Sequence, residues 1–205
     1  MARINQNQST YITYGQMNLI NDFRALWAEL VIWMRSYMVS TITGFSNINA
    51  IRNRVNRIPW DMRQKLQPFL GVELAEQFQS LLSMYLNHAQ ILVDAQKNMD
   101  QEAMNNTVSA LYRDADSMAD FLASINPYWS KSQWQNLFYQ LTEMGITEIV
   151  DIFSGNYDEE IDLRDRMLKL GLVLGDYMAG GVMHYLVPDI SSPTQIQQSP
   201  GETLR

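Results

Sequence analysis

Apolar side chains recur along this chain at intervals of three and four residues, the period of a helix with one buried face. Phe23, Leu26, Trp27, Leu30, Val31, Met34 and Met38 set that rhythm first, and predict a helix from Asn18 to about Thr43 that Gly44 can terminate. Ser46-Asn47-Ile48-Asn49 offers caps for a short helix through Arg57. Pro59 then ends it or starts the next, and a second short helix from Trp60 to Gln67 stops at Pro68. After Gly71, Leu74, Phe78, Leu81, Leu82, Tyr85, Ala89 and Leu92 predict a long helix to about Asn98. Asp100-Gln101-Glu102 starts the next with a capping oxygen and acidic charge at the positive end of the dipole, and Asn126-Pro127 closes it. Ser130-Lys131-Ser132-Gln133 fits a capping box for a helix ending at Gly155-Asn156. Asp158-Glu159-Glu160-Ile161-Asp162 opens the last, which runs to about Tyr185.

Two pieces of this pattern repeat. Phe78-Gln79 with Leu81-Leu82 returns as Trp134-Gln135 with Leu137-Phe138, Met62 with Leu66 returns as Met118 with Leu122, and each copy ends in an Asn-x-Asp joint, at Asn98 and at Asn156. The spacing predicts a degenerate internal duplication of units at about 51–98 and 107–156, lying about a pseudo-twofold axis. No segment alternates as a strand does, so the fold class is all-α: an antiparallel helical bundle. Its four-helix core would come from the helices at 18–43, 72–98, 133–155 and 158–185. Residues 1–15 read as a polar arm, pinned by Tyr11 and Tyr14, residues 16–187 as one bundle domain, and residues 188–205 as a disordered tail. In the last helix Gly171 and Gly175, followed by Gly180 and Gly181, each cost about 1 kcal/mol against alanine, which predicts a neighbour whose backbone comes close.

Composition narrows the function more by exclusion than by assignment. The chain of 205 residues has a formal net charge of -7, contrary to the basic face of a nucleic-acid binder, and its most basic stretch, Arg52 to Lys65, reads as a solvated helix face. It has no cysteine, so disulfides, thiol chemistry and thiolate zinc sites are out. No run has the length and apolarity of a signal peptide core or a membrane span; the 168–187 stretch carries Lys169, Asp176 and His184, and the reading is a cytoplasmic protein. With two histidines, His88 and His184, and no glutamate three residues before either, the chain lacks the ligand pattern of a di-iron bundle. His88 reads as an exposed or hydrogen-bonded helix histidine, and His184 as a partner for carbonyls near a helix end. Gly-rich phosphate loops, Gly-x-Ser-x-Gly and His-Glu-x-x-His are absent. The thirteen methionines and the tryptophans 27, 33, 60, 129 and 134 stand at helical spacing and read as core.

Three charges stand among apolar neighbours. Arg35 has Val31, Ile32, Met38 and Val39 one turn away, Asp176 has Leu172, Val173 and Ala179, and Asp116 shares a side with Tyr112 and Ala119. They are read as a buried ion-pair network or as the polar centre of a ligand pocket, joined by Tyr85 and Trp33.

Leu26-Trp27 with Trp33-Met34-Arg35, Leu66 with Pro68 and Gly71, Ala115-Asp116, Phe121-Leu122, Asn126-Pro127 with Trp129, Asn156-Tyr157-Asp158 and Gly175-Asp176 resemble a family of small, uncharacterised, all-helical bacterial proteins, over roughly residues 25–186. Such relatives sometimes carry the labels acetylglutamate kinase or glycosyltransferase; no nucleotide-binding pattern accompanies either label here. The resemblance implies histidines at the places held here by Leu30, Tyr85 and Leu141, and a Trp-Thr-Arg motif at Trp33 to Arg35. Any histidine-lined polar or metal centre of the family is then lost in this chain, while Arg35, Asp116 and Asp176 are kept. Two functions follow as expectations. The first is a non-enzymatic bundle, without cofactor or metal, that associates with itself or a partner protein through an exposed apolar helix face. The alternative is a pocket protein that binds a small ligand, or an enzyme of unrecognised type, around Arg35, Asp116 and Asp176.

Overall fold

A computed structural model describes residues 12–186, which form six helices: α1 (Tyr14–Thr43), α2 (Ile48–Leu70), α3 (Val72–Asn98), α4 (Gln101–Ile125), α5 (Lys131–Ser154) and α6 (Tyr157–Leu186). The fold is an all-α antiparallel bundle. Consecutive helices reverse direction, so α1, α3 and α5 run parallel to one another. These three touch pairwise. With α6, which packs on α1 and α5, they close the expected four-helix ring; α2 lies over α1 and α3, and α4 over α3 and α5.

The large apolar positions of the duplication point inward, while Leu81, Gln79 and Gln135 are half-buried. Met62, Leu66, Phe78 and Leu82 in one copy, and Met118, Leu122, Trp134 and Phe138 in the other, are essentially without solvent contact. Their arrangement departs from a twofold, however. α4 packs against α3, but α2 makes no comparable contact with α5; instead α2, α4 and α6 each straddle two of the three inner helices. The second hairpin is the first moved one step round a three-sided centre.

The helix at residues 48–70 is continuous, which corrects the two short helices expected around Pro59. Proline in a helix interior loses a backbone bond and costs roughly 3 kcal/mol. Ile51, Val55, Ile58, Met62 and Leu66 on both sides of Pro59 share one buried face, and each contributes about 1.5–3 kcal/mol on burial. That sum outweighs the break. Pro68 lies in the last turn of the same helix.

α1 begins earlier than its apolar rhythm suggests. Thr13 and Gln16 form a full capping box: the Thr13 hydroxyl accepts from the Gln16 amide at 3.2 Å, and the Thr13 amide donates to Gln16 Oε1 at 2.9 Å. Tyr14 is exposed; the arm before Ile12, with Tyr11, and the tail at 188–205 lie outside the described residues. Gly44, Met99 and Gly155 end α1, α3 and α5 in the left-handed region. Asp100 caps α4 by accepting from the Ala103 amide at 3.0 Å. At Ser130 the hydroxyl accepts from the Gln133 amide at 3.4 Å, the first half of the box expected there.

The glycines of α6 do what their cost implies. A Cβ on Gly175 would stand 2.5 Å from the backbone nitrogen of Arg24, one on Gly171 would stand 3.3 Å from the carbonyl oxygen of Trp27, and one on Gly181 would collide with the Trp129 indole. Gly180 faces open space. α1 and α6 thus meet nearly backbone to backbone. Among the described residues, no helix is long and apolar enough to cross a membrane.

Candidate functional site: a buried charged cluster at the α1, α5 and α6 junction

The apolar stripe of α5 includes Trp134, Leu137, Phe138, Leu141 and Ile149, and one heptad beyond Leu141 it reaches Glu148. The stripe of α6, Leu174, Leu170, Met167 and Leu163, continues backward to Glu160. Both carboxylates therefore sit at core positions. Neither has any solvent exposure.

Arg35 of α1 answers Glu160 with a two-pronged ion pair, Nε to Oε1 at 2.5 Å and Nη2 to Oε2 at 2.9 Å. This pairing holds the Glu160 carboxyl below the usual carboxylate range, against the opposing effect of burial. Glu160 also lies in the first turn of α6, where the helix dipole favours negative charge. Glu148 is served far less well. Its only nearby counter-charge contact is Arg164 Nη1 at 3.7 Å, and neither of its oxygens accepts a hydrogen bond among the described residues. Burial, with the neighbouring Glu160 charge, pushes it up to about 7, although Arg164 and Arg35 pull the other way. Two ionised carboxylates offer each other no donor. Once protonated, Glu148 donates to Glu160, which raises the first group and lowers the second.

The residues singled out from sequence do not converge. Arg35 finds its acid in Glu160, while Asp176 pairs with Arg24 across the α1–α6 surface, Nε to Oδ1 at 2.5 Å, with both side chains over two-fifths exposed. The reason is visible in Leu172 and Val173, the apolar neighbours of Asp176, which are themselves exposed at 42% and 48%. Asp116 accepts from Gln135 Nε2 at 2.9 Å and from the Tyr139 hydroxyl at 2.6 Å. The buried aspartate of α4 is instead Asp114, which meets His88 Nδ1 at 2.5 Å and ties α3 to α4. His184 Nδ1 lies 2.7 Å from the Gly180 carbonyl oxygen, in keeping with its place near the helix end. Trp33 lies under the Arg54 guanidinium, 5.4 Å from ring centroid to carbon, on the α1–α2 surface.

Leu30, Tyr85 and Leu141 do come together. From the three inner helices they line one cavity of about 40 Å³ at the bundle centre, with Val31, Met34 and Met167. A second, of about 30 Å³, shares Tyr85 with it and reaches Leu111 and Ile149. The Tyr85 hydroxyl is engaged with Thr142 Oγ1 at 2.9 Å, and burial pushes its pKa up to about 12. Leucine has no donor atom, so two of the three positions where the resemblance places histidines, Leu30 and Leu141, cannot ligate a metal.

The surface chemistry is largely self-neutralised. Arg52 pairs with Asp94, Arg54 with Glu29 and Asp61, Arg57 with Asp61, Arg63 with Glu76 and Lys65 with Asp22. Among the described residues, no group of three or more His, Asp or Glu side chains is placed to hold a metal ion.

Fold and site together define an all-helical bundle with a buried charged cluster in which Arg35 pairs with Glu160 and Glu148 is left without a donor among the described residues. No protein-family model, no curated protein and no solved structure matches the chain. The likeness drawn from Trp33 to Arg35, Asn126-Pro127 and Gly175-Asp176 gains no support from these comparisons.

Proposed function

We propose that this protein is a non-enzymatic bundle that acts by protein–protein association. One observation carries the reading. Tyr157, Ile161, Leu168 and Leu172 follow each other at four, seven and four residues along α6 and form one row on its flank. Tyr157, Ile161 and Leu172 are exposed at 59%, 54% and 42%. Ile32 of α1, 40% exposed, lies one turn from Ala28 and Arg35, both of which face α6, so it extends the row across the α1–α6 seam. Apolar side chains gathered in a row along a helix, rather than scattered singly, are the pattern of a protein contact.

The small-ligand reading has less behind it. Ligand pockets run from roughly 300 to 1,000 Å³, and the central cavities are about 30 and 40 Å³. A groove of about 460 Å³ lies on the surface among Asn18, Asp22, Lys65 and Phe69, away from Arg35.

Light scattering over a wide concentration range, on the full chain and on an Ile161→Glu, Leu172→Glu double variant, tests the association. The expected outcome is a concentration-dependent oligomer, or a retained partner in a pull-down with purified candidates, that the double variant loses while staying folded. A strict monomer whose behaviour the variant does not alter overturns the reading.

A further inference from the structure

We infer that Glu148 and Glu160 hold one proton between them, and that its loss loosens the seating of the first turns of α6 on α5 and α1. The two side chains come from helices on either side of the α5–α6 joint, and both are fully buried. With both ionised, the pair has four carboxylate oxygens and the two guanidiniums of Arg35 and Arg164 to satisfy them. Arg35 turns its Nε and Nη2 to Glu160 through two hydrogen bonds, and Arg164 stands 3.7 Å from Glu148 with its Nη1 making no hydrogen bond. Glu148 is the one member of the cluster with no donor. A proton on it supplies that donor, aimed at Glu160, and leaves one negative charge facing two positive ones.

The surroundings supply no other answer. The charged groups that face Glu148 are Arg35 from α1 and Glu160 and Arg164 from α6, and Asp165, next to Arg164, faces solvent; α3 and α4 bring no charged group to it among the described residues. A buried carboxylate left without a donor is costly enough that the structure must either keep the proton or admit water. Leu163 and Ile152, one turn from Glu160 and Glu148 on their own helices, are buried as well, so hydrating the Glu148 carboxylate works against the packing of α6 on α5. The ordinary carboxylate range lies well below neutrality, whereas the burial of Glu148 puts its titration within reach of neutral pH.

The test uses the native full chain. Carboxyl-carbon NMR follows Glu148 and Glu160 from about pH 5 to about pH 9, and amide hydrogen exchange, corrected for its intrinsic pH dependence, is read over residues 148–170 in the same samples. The inference expects Glu148 to titrate near neutrality, with a several-fold loss of protection in the first turns of α6 over the same range. In Glu148→Gln, which keeps a permanent donor toward Glu160, protection should stay level. Titration of Glu148 in the ordinary carboxylate range overturns the shared proton. A high titration with unchanged protection, as when Arg164 simply closes on the ionised group, overturns the loosening. Both outcomes are read on the unmodified protein, so they decide the matter even if the variant does not fold.

Discussion

Two arginine–carboxylate pairs cross the same α1–α6 seam with nearly the same geometry. Arg24–Asp176 has contacts of 2.5 and 2.8 Å, and Arg35–Glu160 has contacts of 2.5 and 2.9 Å. Their settings differ. The first lies open to solvent on both sides, whereas the second ends on a carboxylate with no exposure at all. Distance alone therefore says nothing about what either pair is worth, because an exposed pair is screened and its charges stay hydrated after it breaks. A buried carboxylate whose partner is removed keeps its desolvation penalty and gets nothing in return. The seam is held by one pair that ornaments it and another on which the fold depends.

Breaking the buried pair should have the largest effect. Arg35→Ala is expected to destabilise the protein by about 3–5 kcal/mol, seen as a fall in the urea midpoint with an unchanged slope. Arg35→Met combined with Glu160→Leu should recover most of that loss, since no charge is then left stranded; failure to recover would mean that the arginine stem, not the ion pair, holds the seam.

Next comes Glu148→Gln. Glu148 titrates near 7 in the folded protein and near the ordinary carboxylate value when unfolded. Between those two values the native state binds the extra proton, so stability falls as pH rises through this window. Glu160 has the opposite sign: its lowered value stabilises the fold above the ordinary range, and that contribution is lost as pH falls through the folded value. Stability should therefore peak on the acidic side of neutrality. The glutamine variant should remove the decline toward high pH and gain up to about 3 kcal/mol above neutrality; urea titrations at several pH values read both.

Gly175→Ala pushes directly on the exposed end of the seam. The new methyl would stand 2.5 Å from the Arg24 backbone nitrogen, and overpacking of this kind costs roughly 1–3 kcal/mol. That exceeds the gain of about 1 kcal/mol from helix propensity, so the thermal midpoint should fall. Arg24→Ala, in contrast, should cost less than about 1 kcal/mol, and less again in high salt. A loss as large as that of Arg35→Ala would erase the contrast between the two pairs.

Much of the architecture is legible in the chain because each signal is local. Gly44, Asp100 and Ser130 terminate or start helices through their own backbone or side chain, and Gly171 and Gly175 announce a close neighbour by their cost in a helix. Pro59 misleads because its local penalty is overridden by an apolar face on both sides of it. Thr13 and Gln16 are hidden as a cap because the polar residues before them look like an arm. The site is harder. Arg35 plainly needs an acid, but Asp176 attracts attention through Leu172 and Val173, which face solvent, and Asp116 lies in a hydrogen-bond network with Gln135 and Tyr139. Glu160 stands in a run of acids that reads naturally as dipole compensation. Only its register with Leu163, Met167, Leu170 and Leu174 distinguishes it from Glu159, and only the register of Glu148 with Leu141 marks that residue as internal.

Gly71 is at once the last cap of α2 and the first of α3, with φ at 82° and ψ at 169°. A joint of one residue has no slack, so α2 and α3 are geared together: lengthening either by a residue turns its buried face about a quarter of the way round toward solvent. An insertion is better placed at Phe45 to Asn47, which are exposed between α1 and α2, than at Gly71. For anyone wishing to splice a reporter into this bundle or to reopen it as a permuted chain, that glycine marks the place to avoid.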